Sequence, residues 1–515
     1  MKKCGDFHRF QFVHYIFLNL FSIYASIVAF YYVFAAAEPD HRCRLLDNIW
    51  LNDNQYYPIN RTHEIYIRKY LDKNCFRRFV DNQIRQTCAN DTIYDRSIFG
   101  YTFTEEANLI CENKSRKSWL ATATQCAGFL SIIIGTLADK YGRKRLIILL
   151  TIPSFCICFL TQIILQWIPL TVDSKFFILL LNQFASGLFI PIYMIAFILI
   201  LELTTISHRS SAGNLAFIAY TIGEILIAIF AYFTRDWLKF KWTNTIAIGL
   251  VLPYLYFMPE SPMYFYAKKD YVRLEELLKR IAKMNRKNET NWYESYQDLI
   301  HQQTNQITPK TNSDFHRHQL KLLCHPKIFI QLIVSASIGF HVLLFYIQIS
   351  YGLTMLNMSP YLLIIIGAIV ESLSYLVSSC LISTRFGRKG SFIIMMSLTI
   401  ICLILIPTMK QSHSTISILF AQIGKFTISA TTGIICIFVP EIFPTSIRTT
   451  TNGLFFSFSR FGVILVPILH TLIPDEYSTY TFYCSALLGV LILLSSLILP
   501  ETKSKCLDDT HITDV

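Results

Sequence analysis

Apolar runs with few or no charges recur along the chain, each long enough to cross a hydrocarbon core of roughly 30 Å as a helix. They fall at 11–34, 118–138, 144–166, 176–201, 212–233, 244–258, 328–350, 361–383, 391–408, 415–438, 449–472 and 480–499. The sixth is short and contains Pro253. The first is too long for the apolar core of a signal peptide, and no small-residue cleavage site stands out around Ala35 to Ala37, so a retained helix is expected. The pattern predicts an all-α membrane protein with twelve transmembrane helices. Composition agrees: 53% of the residues are hydrophobic and 16% charged, with a mean hydropathy of +0.41, too apolar for a soluble globular chain.

The formal charge of +12 raises nucleic acid as a partner, but the basic residues gather beside the ends of apolar runs instead of forming a stripe on a soluble domain. Lys140, Arg143, Lys144 and Arg145 share one short loop, Lys268 through Lys287 lie in a second, and Arg385, Arg388 and Lys389 in a third. An excess of Lys and Arg in short loops marks the cytosolic side, which puts both termini there too. The long segment from Phe34 to Lys117 balances its charges and is exempt from that rule. It carries Cys43, Cys75, Cys88 and Cys111, which allow three disulfide pairings, and glycosylation sequons at Asn60, Asn90 and Asn113. An extracellular, disulfide-bonded, glycosylated loop is expected. Sequons at Asn288 and Asn357 are set aside as cytosolic and too near the membrane, and the other ten cysteines read as small core residues.

Two halves of the sequence repeat. "ADKYGRKR" after the second run corresponds to "TRFGRKG" after the eighth, with Gly142 and Gly387 roughly 245 residues apart. "ELTTISHRSSAGNLAF" from Glu202 and "EIFPTSIRTTTNGLFF" from Glu441 each place an arginine, Arg209 or Arg448, seven positions after the glutamate. Two six-helix bundles about an axis along the membrane normal follow. The expected layout is 1–33 cytosolic N-terminus and first helix, 34–117 extracellular loop, 118–258 the rest of the N-terminal bundle, 259–327 cytosolic linker, 328–499 C-terminal bundle and 500–515 cytosolic tail. In the linker, "YVRLEELLKRIAKMN" sets Val272, Leu274, Leu277, Leu278 and Ile281 at helical spacing.

The basic loops read as a cytosolic gate. Asp139 ends a helix where the macrodipole disfavours an anion, so it needs a positive partner, either in its own loop or at the start of the eleventh helix after Arg448. Gly142 gives a tight turn, and Arg143, Lys144 and Arg145 pair with Glu202 or Glu441; Arg209 and Arg388 complete the set. Contacts of this kind hold the cytosolic ends together and favour the state open to the outside.

The loop motif "DKYGRK", "MPESP" at 258–262, "RFGRK" and "LPETK" at 499–503 together resemble the major facilitator superfamily. The cysteine-containing loop after the first helix, and "GKFTIS" leading into "PEIFPTSIR", are similar to its organic cation, organic anion and carnitine transporter family. The resemblance covers nearly the whole chain and implies alternating-access transport of small organic ions across the plasma membrane. The chain departs from the family pattern at Thr384, where an acid is usual, at Asn182, where the fourth helix usually has arginine, and at Met263 and Tyr264 after "PESP".

Ionisable residues inside membrane helices are costly and are functional candidates by default. Here they are Glu224, Glu371, Lys425 and Arg460, the resemblance placing Glu371 and Arg460 at positions that vary between cation, carnitine and anion branches. An acid and a guanidinium facing one cavity suit a zwitterion such as a carnitine-like betaine; the bland alternative is that these groups pair as interior glue. Tyr346, aligned with a pocket tyrosine of the family, Gln348, Tyr220, Phe345 and Tyr351 are candidate lining residues. The C-terminal "HITDV" fits a PDZ groove. No cofactor is implied, no metal-ligand spacing occurs, and no nucleophile with a base points to an enzyme. Organic anion exchange, a sugar-porter-like carrier, although "FYIQIS" lacks that group's paired glutamines, and a non-transporting receptor-like homologue are the competing readings.

Overall fold

The computed structural model describes the chain except residues 1–3, 6–7, 48, 73–75, 79–84, 89–90, 206–207, 289–291, 295, 298–299, 301–323, 355–358, 413, 444–446, 474–477 and 503–515. Helix α1, Arg9–Ala35, leads into a small domain containing strand β1 (His41–Cys43), helix α2 (Arg61–Tyr70), strands β2 (Leu71–Asp72), β3 (Phe76–Arg78), β4 (Arg85–Thr87) and β5 (Thr92–Tyr94), and helix α3 (Phe103–Glu106). β1 pairs antiparallel with β5, and β2, β3 and β4 form a second antiparallel sheet.

The N-terminal half continues with α4 (Lys114–Phe129), α5 (Ser131–Tyr141), α6 (Arg143–Trp167), α7 (Val172–Gly187), α8 (Phe189–Leu203), α9 (Arg209–Thr234) and α10 (Trp237–Phe257). The predicted second and fourth spans are each broken once, α4 from α5 at Leu130 and α7 from α8 at Leu188. The sixth begins earlier than its apolar run because Asp236 caps it, its side chain accepting from the N–H groups of Leu238 and Lys239. Lys239 and Lys241 in its first turns hid that start.

Short α11 (Pro262–Ala267) and amphipathic α12 (Tyr271–Met284) follow, then α13 (Pro326–Thr354), α14 (Pro360–Ser383), α15 (Gly387–Ser412), α16 (Ser414–Ile442), α17 (Arg448–Leu472) and α18 (Ser478–Ser496). Leu274, Leu277, Leu278 and Ile281 of α12 are buried against the N-terminal half as their spacing predicts. Val272, placed in the same stripe, is 71% exposed; it stands in the first turn, before the helix meets the bundle.

Counting α4–α5 and α7–α8 once each, the described residues give twelve long helical rods, and ten are long and apolar enough to cross a membrane. The other two, α10 and α17, carry basic residues in their first turns. In each half the rods pack around their own apolar core. The halves meet along two seams, α9 against α14 and α4–α5 against α17. On the first, Thr221 and Ser372 share a 2.6 Å hydrogen bond, Phe217 stacks on Tyr375, and Tyr232 meets Tyr361 edge-on.

The domain after α1 is tied to one end of the rods. Cys43 is bonded to Cys88, their Cα atoms 5.7 Å apart. Cys111 is also disulfide-bonded, whereas Cys75 lies outside the described residues, as does Asn90; Asn60 and Asn113 are exposed. Tyr361 of α14 stacks on Phe34 of α1 and donates to the carbonyl of Ile98. Glu106 takes Lys175 of α7 and the Trp237 indole N–H of α10. Both halves therefore contact this domain.

Inside the domain, Asp53 is fully buried and receives two 2.6 Å bonds from Arg42, with the His63 ring 3.3 Å away and the Leu45 N–H donating at 2.9 Å. Burial alone would raise its carboxyl; the hydrogen bonds and charges of these partners outweigh burial and hold it below the ordinary carboxylate range. A depressed carboxylate contributes stability above its unfolded value and loses it as the pH falls through the folded one. The hydrogen-exchange protection of residues 41–63, corrected for intrinsic rates, is therefore expected to fall below about pH 4. Asp53→Asn is expected to cost roughly 3 kcal/mol at neutral pH, because it strands Arg42, and to flatten that acid profile.

Candidate functional site

Two sets of charged residues stand out, one at the rod ends opposite the disulfide-bonded domain and one midway along the rods. The first is built twice. Gly142 and Gly387 have φ of +102° and +68°, conformations that glycine adopts without strain, and a Cβ on either would strike the carboxylate of Glu260 or Glu501. Each carboxylate caps the helix that starts there. Glu260 accepts from the N–H groups of Arg143 (2.9 Å) and Lys144 (3.2 Å), and Glu501 from those of Arg388 and Lys389, both at 3.0 Å. Burial pushes the Glu260 carboxyl up, opposed by its backbone N–H donors from Ser261, Lys144 and Arg143.

Arg143 then reaches Glu202 (3.1 Å) and Asp139 (2.9 Å), and Arg388 reaches Glu441 (3.0 Å). The lysine ammoniums bind carbonyls, Lys144 that of Tyr256 and Lys389 those of Leu497 and Leu499.

This corrects part of the gate expected from sequence. Arg143 pairs with Glu202 alone of the two glutamates, while Glu441 belongs to Arg388 and Thr502. Each arginine projects from the first turn of a helix beside the glutamate of its own half, so the pairs close within halves. Arg145 is exposed and forms no ion pair among the described residues. Arg209 donates to the Leu201 carbonyl. Asp139 finds its cation in its own loop; α5 does pack against α17, which Arg448 opens, but the Arg448 side chain lies outside the described residues. The capping roles of Glu260 and Glu501 were missed, although the repeated "PES" and "PET" after the sixth and twelfth runs carried the signal.

Midway along the rods, Glu224 of α9, Lys425 of α16 and Tyr346 of α13 converge on Glu371 of α14, and none of the four is more than 9% exposed. Lys425 Nζ lies 3.4 Å from Glu371 and 3.7 Å from Glu224. The Tyr346 hydroxyl lies 3.2 Å from Glu224 and 3.1 Å from both Glu371 oxygens, so its single proton is shared between the two carboxylates. Tyr375, which the sequence did not single out, donates to Glu371 at 2.8 Å; it stands four residues on, on the same face of α14. Glu224 comes from the N-terminal half and the other members from the C-terminal half, so the cluster is an ion-paired bridge between them.

Arg460 of α17 stands apart from this bridge. Its stem lies against Gly128 of α4, its Nε is buried without a hydrogen-bond partner among the described residues, and Tyr193, Tyr220 and Cys436 are its electrostatic neighbours. It forms no salt bridge among the described residues. Tyr220 stands one turn before Glu224 and senses Arg460, Glu224 and Glu371 together, so it lies between the two charged regions. Gln348 turns away, accepting from Ser485 (2.6 Å) and facing Thr481 on α18; it braces the C-terminal half and is not part of the cluster. Phe345 is a core residue, and the Tyr351 side chain lies outside the described residues.

Asn182 is fully buried and bonds the Cys158 carbonyl and Thr161. Nearby, Lys241 of α10 is 1% exposed with Nζ 4.1 Å from the Tyr31 ring centroid and no hydrogen bond among the described residues. Lys241 falls before the apolar run at 244–258, so hydropathy does not mark it as an intramembrane charge.

Two homologous helical halves, each with its own core and turn motif and joined by a buried charged bridge, define a multi-pass membrane carrier of the major facilitator fold. Residues 73–512 match the sugar (and other) transporter family, and the chain belongs to it. An organic cation transporter-like protein of Drosophila melanogaster is 27% identical over 98% of this chain and 90% of that protein. A steroid transmembrane transporter of Oryctolagus cuniculus is 26% identical over 100% and 95%, and solute carrier family 22 member 4 of Mus musculus 24% identical over 90% and 84%. Among solved structures, the proton:xylose symporter XylE bound to 6-bromo-6-deoxy-D-glucose aligns over 97% of this chain and 99% of that chain with a TM-score of 0.65 at 14% identity. The inward-open xylose transporter XylE from E. coli aligns over 98% and 99% with a TM-score of 0.58 at 15% identity. These structures share the fold.

Lys425→Met leaves two carboxylates buried side by side with no cation. The variant is expected to lose roughly 3–5 kcal/mol in chemical denaturation, and Glu224→Gln in the same chain is expected to restore part of that loss. Equal stability of Lys425→Met and wild type would show that the bridge contributes nothing to holding the halves.

Proposed function

We propose that the protein is a plasma-membrane transporter of small organic ions, working by alternating access, and that its substrate is an organic cation or a carnitine-like zwitterion. The observation that carries this is the bridge itself: in a low-dielectric interior, two carboxylates hold one ammonium between the halves. A substrate ammonium that displaces Lys425 from Glu371 and Glu224 inherits that site, with the rings of Tyr346, Tyr375 and Tyr220 as aromatic neighbours. Exchanging one cation for another leaves the net charge beside the two carboxylates unchanged, whereas an empty site does not. Arg460 supplies a guanidinium for a substrate carboxylate.

In this reading the Gly142 and Gly387 turns and both termini face the cytosol, in line with the basic loops. Residues 34–117 then face outward, bearing glycans on Asn60, Asn90 and Asn113, with 118–258 and 328–499 as the two rocking bundles joined by 259–327. Rocking requires the α9–α14 and α4–α5–α17 seams to open alternately at their two ends. The tail 500–515, mostly outside the described residues, offers "TDV" to a PDZ domain. The membrane potential would favour cation uptake by about 2.3 kcal/mol per charge per 100 mV and leave a zwitterion unaffected unless an ion accompanies it.

The unpaired Arg460 favours one second reading, exchange of organic anions. The test is an uptake panel of tetraethylammonium, carnitine and p-aminohippurate in expressing oocytes, repeated with Glu371→Gln and Arg460→Ala. Glu371→Gln is expected to reduce cation and carnitine uptake at least tenfold, and Arg460→Ala to reduce carnitine alone of these two. Loss of p-aminohippurate uptake in Arg460→Ala, with cation uptake absent throughout, selects the anion reading. Saturable uptake of none of the three would sink both.

A further inference from the structure

A third charged region lies at the same rod ends as the glycine turns, beside the first set and lined by other residues. His8, Arg9 and Phe12 at the foot of α1, with Asn285 and Arg286 after α12, line a cavity of about 430 Å³. Asn285 is fully engaged as a staple, accepting from the Phe10 N–H and donating to the Cys4 carbonyl and Gln11, so it shapes the wall and leaves the arginines to meet a ligand. Neither Arg9 nor Arg286 has an ion-pair partner among the described residues, and both are exposed. Arg280, Lys283 and Lys287 extend the same unpaired charge along and past the end of α12. Arg273 and Lys279 of that helix are instead taken up by Asp270 and Glu275.

An apolar path leaves the cavity along the rods. Phe12, Ile16 and Phe17 of α1 are 53%, 48% and 42% exposed, and Tyr256 and Phe257, at the end of α10, are 82% and 59% exposed. Phe17 stacks on Tyr254, which packs the end of α10 against α1. A concave basic pocket at the membrane boundary, opening onto a lipid-facing apolar strip, matches one kind of molecule: a phosphate-rich head group carrying acyl chains.

We propose that this corner binds a multiply phosphorylated inositol lipid, its phosphates on Arg9, Arg286 and His8 and its chains along α1. Such a lipid would clamp α1 to the linker helix α12, the two elements that Asn285 already joins. The site requires only that this end of the rods meets a membrane surface, and does not depend on which substrate is carried.

The full-length protein is placed in phosphatidylcholine nanodiscs, plain or doped with phosphatidylinositol bisphosphate or with phosphatidylserine at matched total charge, and soluble inositol trisphosphate is added to the plain discs. Bound lipid is read by native mass spectrometry. Preferential retention of the bisphosphate lipid is expected, weakened about thirtyfold in Arg9→Gln/Arg286→Gln and unchanged in Arg273→Gln/Lys279→Gln. If the double variant does not fold, Arg286→Gln alone, at an exposed position, is expected to weaken retention about fivefold. Equal retention of phosphatidylserine, equal retention by the arginine variants, or binding of soluble trisphosphate as tight as that of the lipid would each overturn the proposal.

Discussion

The architecture turns on an ammonium held between two carboxylates where water is scarce. Charges in the interior of a membrane bundle are tolerated when they are paired and hydrogen-bonded. Glu224, Glu371, Lys425, Tyr346 and Tyr375 meet that condition through shared ion pairs and hydrogen bonds. Because Glu224 stands in one half and its partners in the other, the pairing is also an ionic bond between the halves. Any movement that separates them must supply these groups with new partners, and this physical demand ties conformation to the arrival of a charged ligand.

At the rod ends the same chemistry is used locally. A glycine turn delivers the first N–H groups of α6 and of α15 to a carboxylate, and an arginine in that turn reaches a second one. These contacts stay within a half and fix the geometry of each bundle as a rigid body. The division is economical in physical terms: groups that must stay together are paired within halves, and groups that must part are paired across the seam. The lateral packing of Phe217 on Tyr375 and the hydroxyl pair Thr221 and Ser372 are weaker contacts that can be remade at small cost.

The end that carries the disulfide-bonded domain follows a different logic. Tyr361 joins α14 to α1 and to the domain's Ile98 carbonyl, while Glu106 ties the domain to α7 and α10. The domain therefore rests chiefly on the N-terminal half and touches the other through Tyr361, so opening at that end involves few contacts.

Hydropathy alone located the rods, because burial in lipid leaves no other choice than a helix for an apolar run of that length. The repeat of "GRK" and of Glu202 with Glu441 showed that two halves exist, since local turn chemistry is written in adjacent residues. The breaks at Leu130 and Leu188 and the early start of α10 were not legible, because they depend on a cap and on packing between neighbours. Nor could the sequence decide which charges meet: Glu224 and Lys425 are 201 positions apart, Gln348 lies close to Tyr346 yet faces α18, and Arg460 remains outside the bridge. Periodicity fixes which residues are buried in a helix, but the partner of a buried charge is chosen by how separate helices are rotated and placed against one another, and only the tertiary structure supplies that.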